Sequence, residues 1–470
     1  MSKPNFHARG NKIHFISLGC PRNLVDTEVM LGILLKEGYE PAEELPEADF
    51  IIINTCGFLQ ASRAESLETI EYATSEKKEG AKVIVAGCMV QTHKEEIQKE
   101  FPDLHYLLGS GEVEEILRAV TVEEQGEKIT TTKSYLEAGE VPRTLSTPGS
   151  FAYLKIAEGC RKRCAYCIIP DIKGHLRSKP LERVVQEFHA LLGQGVKEVI
   201  LIAQDLGDWG KDLGYSKSEG LIVLLKELLK TSGDYWIRLL YLYPDEITDE
   251  LIDLMRENPR ICPYLDMPIQ HVSNPLLKAM RRKTSKEEIV AIIEKLREQI
   301  PGMAIRTSLI VGFPGETEEQ FEELCDFVQE YPLDHVGIFT YSKEEGSAAA
   351  EMEGQIEESV KEERQEILAA LQQEVVEERS EQFIGKKMKV LVEGFHPESE
   401  LLMRGRHSGQ CPDIDGQVII NDGRAVNAFN EWYEVEITDL AGYDLIGRVL
   451  RPLAKPKTKR KKSSGLTILH

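Results

Sequence analysis

The sequence predicts an α/β protein in three parts: an N-terminal parallel α/β sheet domain, a central partial (βα) barrel and a small C-terminal β-barrel. Three observations carry this. Short apolar runs alternate with helical patterns from residue 12 to about 125. A longer series of the same kind starts at residue 152. Past residue 386 the pattern turns to short strands separated by Gly, Asn and Asp turns.

Each element has its own warrant. Ile13–Ser17 reads as a strand ending at Gly19-Cys20. Asn23 to Gly38 reads as a helix, with Leu24, Val25, Val29, Leu31 and Leu34 on its apolar face and Gly38 as its stop. Phe50–Ile53 is an unbroken apolar run, the mark of a strand buried on both faces, and it ends at Asn54-Thr55-Cys56-Gly57. Ala61 to Glu79 is helical, and Val83–Ala86 is a further buried strand ending at Gly87-Cys88. Residues 124–145, rich in Glu, Thr, Pro and Gly, are expected to be a linker between a first domain at 12–123 and a core at 146–378.

Core strands are expected at 152–156, 199–203, 237–242, 264–267, 305–311 and 336–341. Six parallel strands in that length suit a partial barrel open on one side, with a doubly wound sheet as the rival. Residues 355–381 form a charged helix pattern that connects to the third domain, 380–453. There, 388–392, 416–420 and 432–437 are expected strands. The lysine-rich segment 454–470 is expected to be a disordered basic tail.

Composition narrows the class. A chain of 470 residues exceeds a single core. With 41% hydrophobic and 29% charged residues it reads as soluble and globular, and no apolar run of about 18 residues indicates a membrane span. Residues 1–7 offer no apolar stretch for a secretory signal, so a cytoplasmic location is expected. In that reducing compartment nine cysteines read as metal ligands, reactive thiols or core residues rather than disulfides. The formal net charge of -22 repels nucleic-acid phosphates at long range and attracts basic partners.

Cys160, Cys164 and Cys167 form a Cys-x3-Cys-x2-Cys run just after an expected strand. Three thiolates on one tight loop suit three corners of a 4Fe–4S cube and leave one iron open. A zinc site with His175 as fourth ligand is the alternative, although structural zinc usually takes two separated pairs. Cys20, Cys56 and Cys88 look unrelated by spacing, but each follows the C-terminal end of an expected parallel strand, and each has a glycine beside it (Gly19, Gly57, Gly87). Ligand sites in open α/β sheets lie at that edge. A second cluster is therefore expected there, against the alternative of three small core residues. Cys262, Cys325 and Cys411 share no such pattern and are read as structural.

The central run, with Tyr166 before Cys167, resembles the radical S-adenosylmethionine superfamily, as does Ile310–Glu316 with its Gly312. That resemblance implies a cluster at the mouth of a partial barrel, S-adenosylmethionine on the open iron, a radical formed by its reductive cleavage, and Tyr166 near the adenine. Gln204, Gln270 and Arg306 lie at or near expected strand ends and are candidate cofactor contacts, as are Asp205 and His271; an ordinary polar strand cap is the alternative for each. With both triads and the C-terminal barrel, residues 12–452 resemble the radical methylthiotransferases, whose final domain is called TRAM.

Ser17–Asp26, Asn54–Phe58, Ala203–Asp205 and Tyr264–His271 are similar to the RimO-like branch of that family. That branch modifies the β-carbon of an aspartate in a small-subunit ribosomal protein, and its resemblance implies two 4Fe–4S clusters, S-adenosylmethionine, a 30S partner and an electron donor. It implies no side-chain acid or base. The MiaB-like branch, a tRNA methylthiotransferase acting on isopentenyladenosine, usually has Gln-Met-Asn after the first cysteine, where this chain has Pro21-Arg22-Asn23. Residues 386–451 hold eight basic and eleven acidic side chains, a poor grip for tRNA. Direct nucleic-acid contact stays open, because the tail is basic. An alternative of another class is a non-catalytic iron–sulfur carrier or ribosome-assembly module.

Overall fold

The computed structural model describes residues 10–130, 135–137, 141–453 and 468–469. The N-terminal sheet is parallel throughout, with β1 (Lys12–Ser17), β2 (Phe50–Thr55), β3 (Lys82–Gly87), β4 (Tyr106–Gly109) and β5 (Gly126–Lys128) side by side and the two-residue strand Glu40–Pro41 on the outer edge of β1. Every residue of β2 is buried, as its apolar run demands. Helix α1 (Pro21–Lys36) covers one face. Helices α2 (Gln60–Glu76) and α3 (Cys88–Glu100) cover the other. Pro21 sits in the first turn of α1, where an N–H would have no helical partner. Strand β5 falls within the segment expected as a linker: Gly126, Glu127 and Lys128 join the sheet edge through their backbone, which no apolar pattern announces.

Six parallel strands build the core: β6 (Phe151–Lys155), β7 (Glu198–Ile202), β8 (Trp236–Leu239), β9 (Ile261–Asp266), β10 (Ala304–Val311) and β11 (His335–Thr340). They pair strictly in chain order, and β6 and β11 remain unpaired edges. The sheet is thus a partial barrel, and the order never reverses as a doubly wound sheet requires. Alternation assigns the faces. Ala152, Leu154, Val199 and Leu201 pack outward against the surrounding helices. Tyr153, Ile200, Ile202, Trp236 and Tyr264 point into the lumen with Cys262.

The helix Glu358–Glu381 packs beside β11 and brings Lys361 and Arg364 to the strand ends. Beyond it, β12 (Lys387–His396), β13 (Ser399–His407), β14 (Val418–Asp422), β15 (Glu431–Ala441) and β16 (Asp444–Pro452) close into a barrel. Strands β13 and β16 escaped the sequence pattern because charged and apolar residues mix along them. The loop after β13 plugs the floor of the core. Ser408 O accepts from Arg238 at 2.8 Å, Asp415 accepts from the Tyr264 hydroxyl at 2.8 Å, and Cys411 joins the lumen cluster. Trp236 and Trp432 meet there with ring centroids 4.4 Å apart.

Most of the expected tail lies outside the described residues. Ile468–Leu469, however, pairs antiparallel with Arg143–Thr144, so that pair is ordered backbone rather than free tail. Among the described residues no helix is long and apolar enough to cross a membrane.

Candidate active site at two facing cysteine triads

The N-terminal triad is assembled at one sheet edge. Cys20 caps α1 after β1, Cys56 follows β2, and Cys88 opens α3 after β3. Close approach of the three loops depends on glycine: a Cβ on Gly19 would lie 2.8 Å from Cys56 Cβ, and one on Gly57 would lie 2.7 Å from the Met89 backbone. Asn23, fully buried in the first turn of α1, staples them. Its Nδ2 donates to Leu18 O at 3.1 Å and Thr55 O at 3.0 Å, while the Cys88 thiol lies 3.6 Å from its Oδ1. One amide thereby bonds to all three loops.

The central triad sits on the loop after β6, at the C-terminal end of the barrel strands. Each sulfur has a donor beside it. Lys162 N lies 3.4 Å from Cys160 Sγ and Ile169 N lies 3.4 Å from Cys167 Sγ. Tyr243 Oη is 3.6 Å, and Arg282 Nη1 3.8 Å, from Cys164 Sγ. Arg282 also stacks on Tyr243, 4.0 Å from the ring centroid. The loop is anchored by Lys162, which pairs with Asp205 (3.2 Å), Asp245 (3.4 Å) and Glu246 (3.1 Å). Asp205, Asp208 and Glu246 converge closely enough to suit a cation, but Lys162 and Lys211 already supply two ammonium groups to them. Burial raises the Asp205 carboxyl to about 7 against the pull of Lys162.

Cys160, Cys167 and Cys88 fit iron rather than free-thiol chemistry, whereas Arg22 and the Asn23 N–H hold the Cys20 thiol below its usual range against its burial. Burial pushes Cys160 up to about 11, Cys167 to about 12 and Cys88 to about 11, so as free groups they stay protonated and unreactive. A bound metal ion removes such protons, and the donors around each sulfur then face thiolate. All six remain free of disulfides. His175, the zinc alternative's fourth ligand, has no hydrogen bond to any cysteine sulfur among those of the described residues.

The N-terminal domain lies across the barrel mouth. Val25 of α1 packs into the lumen cluster beside Phe151 and Tyr153. Glu28 pairs with Arg143 at 2.6 Å, Asp26 pairs with Lys155, and Arg63 pairs with Glu344 at 2.6 Å. The two triads consequently face one another: Cys88 packs with Ile168 and Ile172, on and beside the short helix α4 (Ile169–Lys173) that follows Cys167.

The other sequence-nominated residues divide. Tyr166 is partly buried, its phenol pushed well up by burial and by the neighbouring Cys164. Gln204 follows β7, and its Oε1 is buried without a hydrogen-bond partner. Gln270 takes a left-handed φ of 74° and joins β10 through its backbone: its N–H donates to Ser308 O at 2.9 Å and its C=O accepts from Ile310 N at 2.7 Å. Gly312 ends β10 with φ 74°, and its N–H donates to Glu316. Glu316 is held in turn by Arg364 at 2.8 Å and His271 Nε2 at 3.1 Å. His271 Nδ1 accepts from the N–H groups of Val272 and Ser273, which leaves Nε2 as the donor. His271 is thus a support for the Gly312 turn. Arg306, on β10 and in register with Asp266 at the end of β9, is engaged by Asp266 (3.0 Å) and by Asp415 of the C-terminal domain (3.5 Å). Sequence reasoning missed Asn23, Lys162, Tyr243 and Arg282 as site residues. Of these, Lys162 carried a signal by lying inside the cysteine run and Asn23 by lying three residues past Cys20 in the Ser17–Asp26 stretch.

A partial parallel barrel with a three-cysteine loop at its mouth defines the class of radical S-adenosylmethionine enzymes, and residues 154–328 match that superfamily. Residues 12–109 match the uncharacterised protein family UPF0004 and residues 384–450 the TRAM domain. The chain is 64% identical to the ribosomal protein uS12 methylthiotransferase RimO of Protochlamydia amoebophila, over 96% of this chain and 94% of that one. It is 58% identical to the same-named protein of Chlamydia abortus, over 96% and 98%, and 46% identical to that of Bdellovibrio bacteriovorus, over 94% and 98%. The chain belongs to this family of radical methylthiotransferases. Among solved structures, the radical S-adenosylmethionine methyltransferase TsrM of Kitasatospora setae, with cobalamin and a [4Fe-4S] cluster bound, shares the fold at TM-score 0.50 and 15% identity, over 70% of this chain and 75% of that one. Membership brings a 4Fe–4S cluster and S-adenosylmethionine as cofactors.

Proposed function

We propose that the chain transfers a methylthio group to the β-carbon of an aspartate in ribosomal protein uS12, with one 4Fe–4S cluster on Cys160, Cys164 and Cys167 and a second on Cys20, Cys56 and Cys88. The observation that carries this is the placement of two three-thiol sites face to face across one barrel mouth. When bound, the cofactors supply reductive cleavage of S-adenosylmethionine, the chemistry an unactivated C–H bond requires. The protein's part is to bind, orient and exclude water. Lys162 ties the central loop to the acidic group of Asp205, Asp245 and Glu246. Tyr166, Gln204, Gln270 and Gly312 line the mouth as contacts for S-adenosylmethionine, with the unpartnered Gln204 Oε1 suited to an amino or hydroxyl donor. The N-terminal domain roofs the site through its buried pairs, so water is kept from the reacting carbon.

A basic protein suits the C-terminal barrel better than RNA. Three of its exposed arginines are each paired with a carboxylate: Arg424 with Asp422 (2.7 Å), Arg448 with Glu436 (2.7 Å) and Arg451 with Glu434 (2.9 Å). Phosphate binding needs such groups free.

The test is anaerobic reconstitution with iron and sulfide, followed by S-adenosylmethionine, a reductant and 30S subunits, with mass spectrometry of the ribosomal proteins and, in parallel, of tRNA. A methylthio adduct on one uS12 aspartate is expected. Cys160→Ala should abolish reductive cleavage. Cys20→Ala should keep cleavage and lose the product. An adduct on tRNA alone would overturn the substrate assignment.

A further inference from the structure

Arg22 is a cation at the barrel mouth without a carboxylate. The other cations that tie the N-terminal domain to the core each have one: Arg63 pairs with Glu344 at 2.6 Å, Arg143 with Glu28 at 2.6 Å, and Lys173 with Asp26 at 3.6 Å. Arg22 crosses the same boundary from the first turn of α1, and among the described residues no carboxylate pairs with it. Its Nη1 donates to Ala203 O, just past the end of β7, at 2.8 Å. Its guanidinium lies over the Tyr241 ring, 5.0 Å from the centroid. Tyr241 is held for that contact. It takes a left-handed φ of 63°, a costly conformation for an aromatic residue, and both of its backbone groups are bonded. Its N–H donates to Asp266 Oδ2 at 3.1 Å, and its C=O accepts from Leu206 N at 2.9 Å.

A guanidinium presents a planar fork of N–H donors that matches a carboxylate. The bond to Ala203 uses one donor and the stack on Tyr241 uses a face, so these two contacts do not consume the fork. The side chain is only partly buried, which keeps it within reach of the mouth. A reacting aspartate brings a carboxylate to a mouth whose rim already carries Asp205, Asp245 and Glu246 around Lys162. Like charges repel there, and a further carboxylate is admitted only against a cation that is not already paired. Bidentate pairing also fixes the rotation of a carboxylate, and with it the direction of the β-carbon bonded to it.

We propose that Arg22 is the carboxylate clamp of the substrate site: it binds the side chain of the target aspartate at the mouth and makes the site selective for aspartate over its neutral isostere asparagine. This rests on the aspartate-modifying reading of the function. The contact is non-covalent, and no proton, electron or group is transferred in it. S-adenosylmethionine is the other source of a carboxylate at this mouth. Arg22 stands on α1, away from the loop of Cys160, Cys164 and Cys167, and so suits the incoming protein better than the cofactor.

The experiment uses the full chain reconstituted with iron and sulfide, and 30S subunits carrying uS12 either in its ordinary form or with the modified aspartate changed to asparagine. Affinity is read by interferometry on immobilised subunits. The parent should prefer the aspartate form by about tenfold or more, as charge-assisted hydrogen bonds supply. Arg22→Met should lose that preference, and Arg22→Lys should keep most of it, because the charge stays. S-adenosylmethionine affinity, read by equilibrium dialysis, should change by less than about twofold in both variants, as expected of an independent site. A parent chain that binds both forms of the subunit alike overturns the inference whatever the variants do, and so does a lysine chain as indifferent as the methionine one. Arg22→Met that keeps the aspartate preference but loses S-adenosylmethionine affinity would give the clamp to the cofactor and overturn the proposal too. If the parent leaves no adduct on any uS12 aspartate in the mass-spectrometric assay, the functional reading itself fails. If it leaves one and the asparagine form binds equally well, this inference alone fails.

Discussion

Glu198→Gln should loosen the C-terminal barrel from the core while leaving both triads intact. Glu198 opens β7 at the floor and is fully buried between two arginines: Arg238 Nε at 2.5 Å and Arg406 Nη1 at 2.7 Å. Burial alone would push its carboxyl up, but Arg238 and Arg406 override it and hold the group below the usual carboxylate range. Glutamine keeps the shape and one acceptor but removes the charge. Arg406 retains Glu393 at 2.7 Å, whereas Arg238 keeps only the Ser408 carbonyl and the face of Tyr264. Breaking a buried pair from one side costs about 3–5 kcal/mol, and the retained acceptor puts this case near the lower figure. About 3 kcal/mol is on the order of a hundredfold in the docking equilibrium, and for a unit of some 200 residues roughly 6–12 °C in melting temperature. Differential scanning fluorimetry and limited proteolysis on the full chain would read it, with Arg448→Gln as control, because exposed pairs contribute about 0–1 kcal/mol. A Glu198→Gln chain that melts and resists protease as the parent does would refute the buried-clamp reasoning.

Acid should act at the same floor. Burial pushes the His407 imidazole down to about 3, with His335, Arg238 and Arg406 adding to it. A folded-state value below the unfolded one, about 6.5, means stability is complete above pH 6.5 and falls as pH drops toward 3. His407→Gln should flatten the melting temperature between pH 6.5 and 4, read by fluorimetry; an unchanged slope would count against it. Asn23→Ala strands the carbonyls of Leu18 and Thr55 at about 1–3 kcal/mol each. Iron should therefore be lost from Cys20, Cys56 and Cys88 but kept at Cys160, Cys164 and Cys167, measured by iron content and electron paramagnetic resonance in full-length chains that keep one cysteine triad and carry alanine at the other.

Sequence alone determined the architecture, because apolar periodicity is a local property. The buried runs Phe50–Ile53 and Val83–Ala86 could be little else than strands covered on both faces. The run Cys160, Cys164, Cys167 was legible because its three residues lie on one loop, and the strand-end rule gathered Cys20, Cys56 and Cys88 although 68 residues separate the first from the last. Tertiary structure decided what stands around them. Arg306 was a candidate from its place on a strand, and only the fold shows that Asp415, from a loop beyond residue 407, meets it there. Asn23 and Arg63 matter through partners 5 to 281 residues away, and a side chain's direction across a domain boundary leaves no periodic trace. Likewise Gly126–Lys128 became a strand by backbone pairing alone, a bond every non-proline residue can make and no composition reveals.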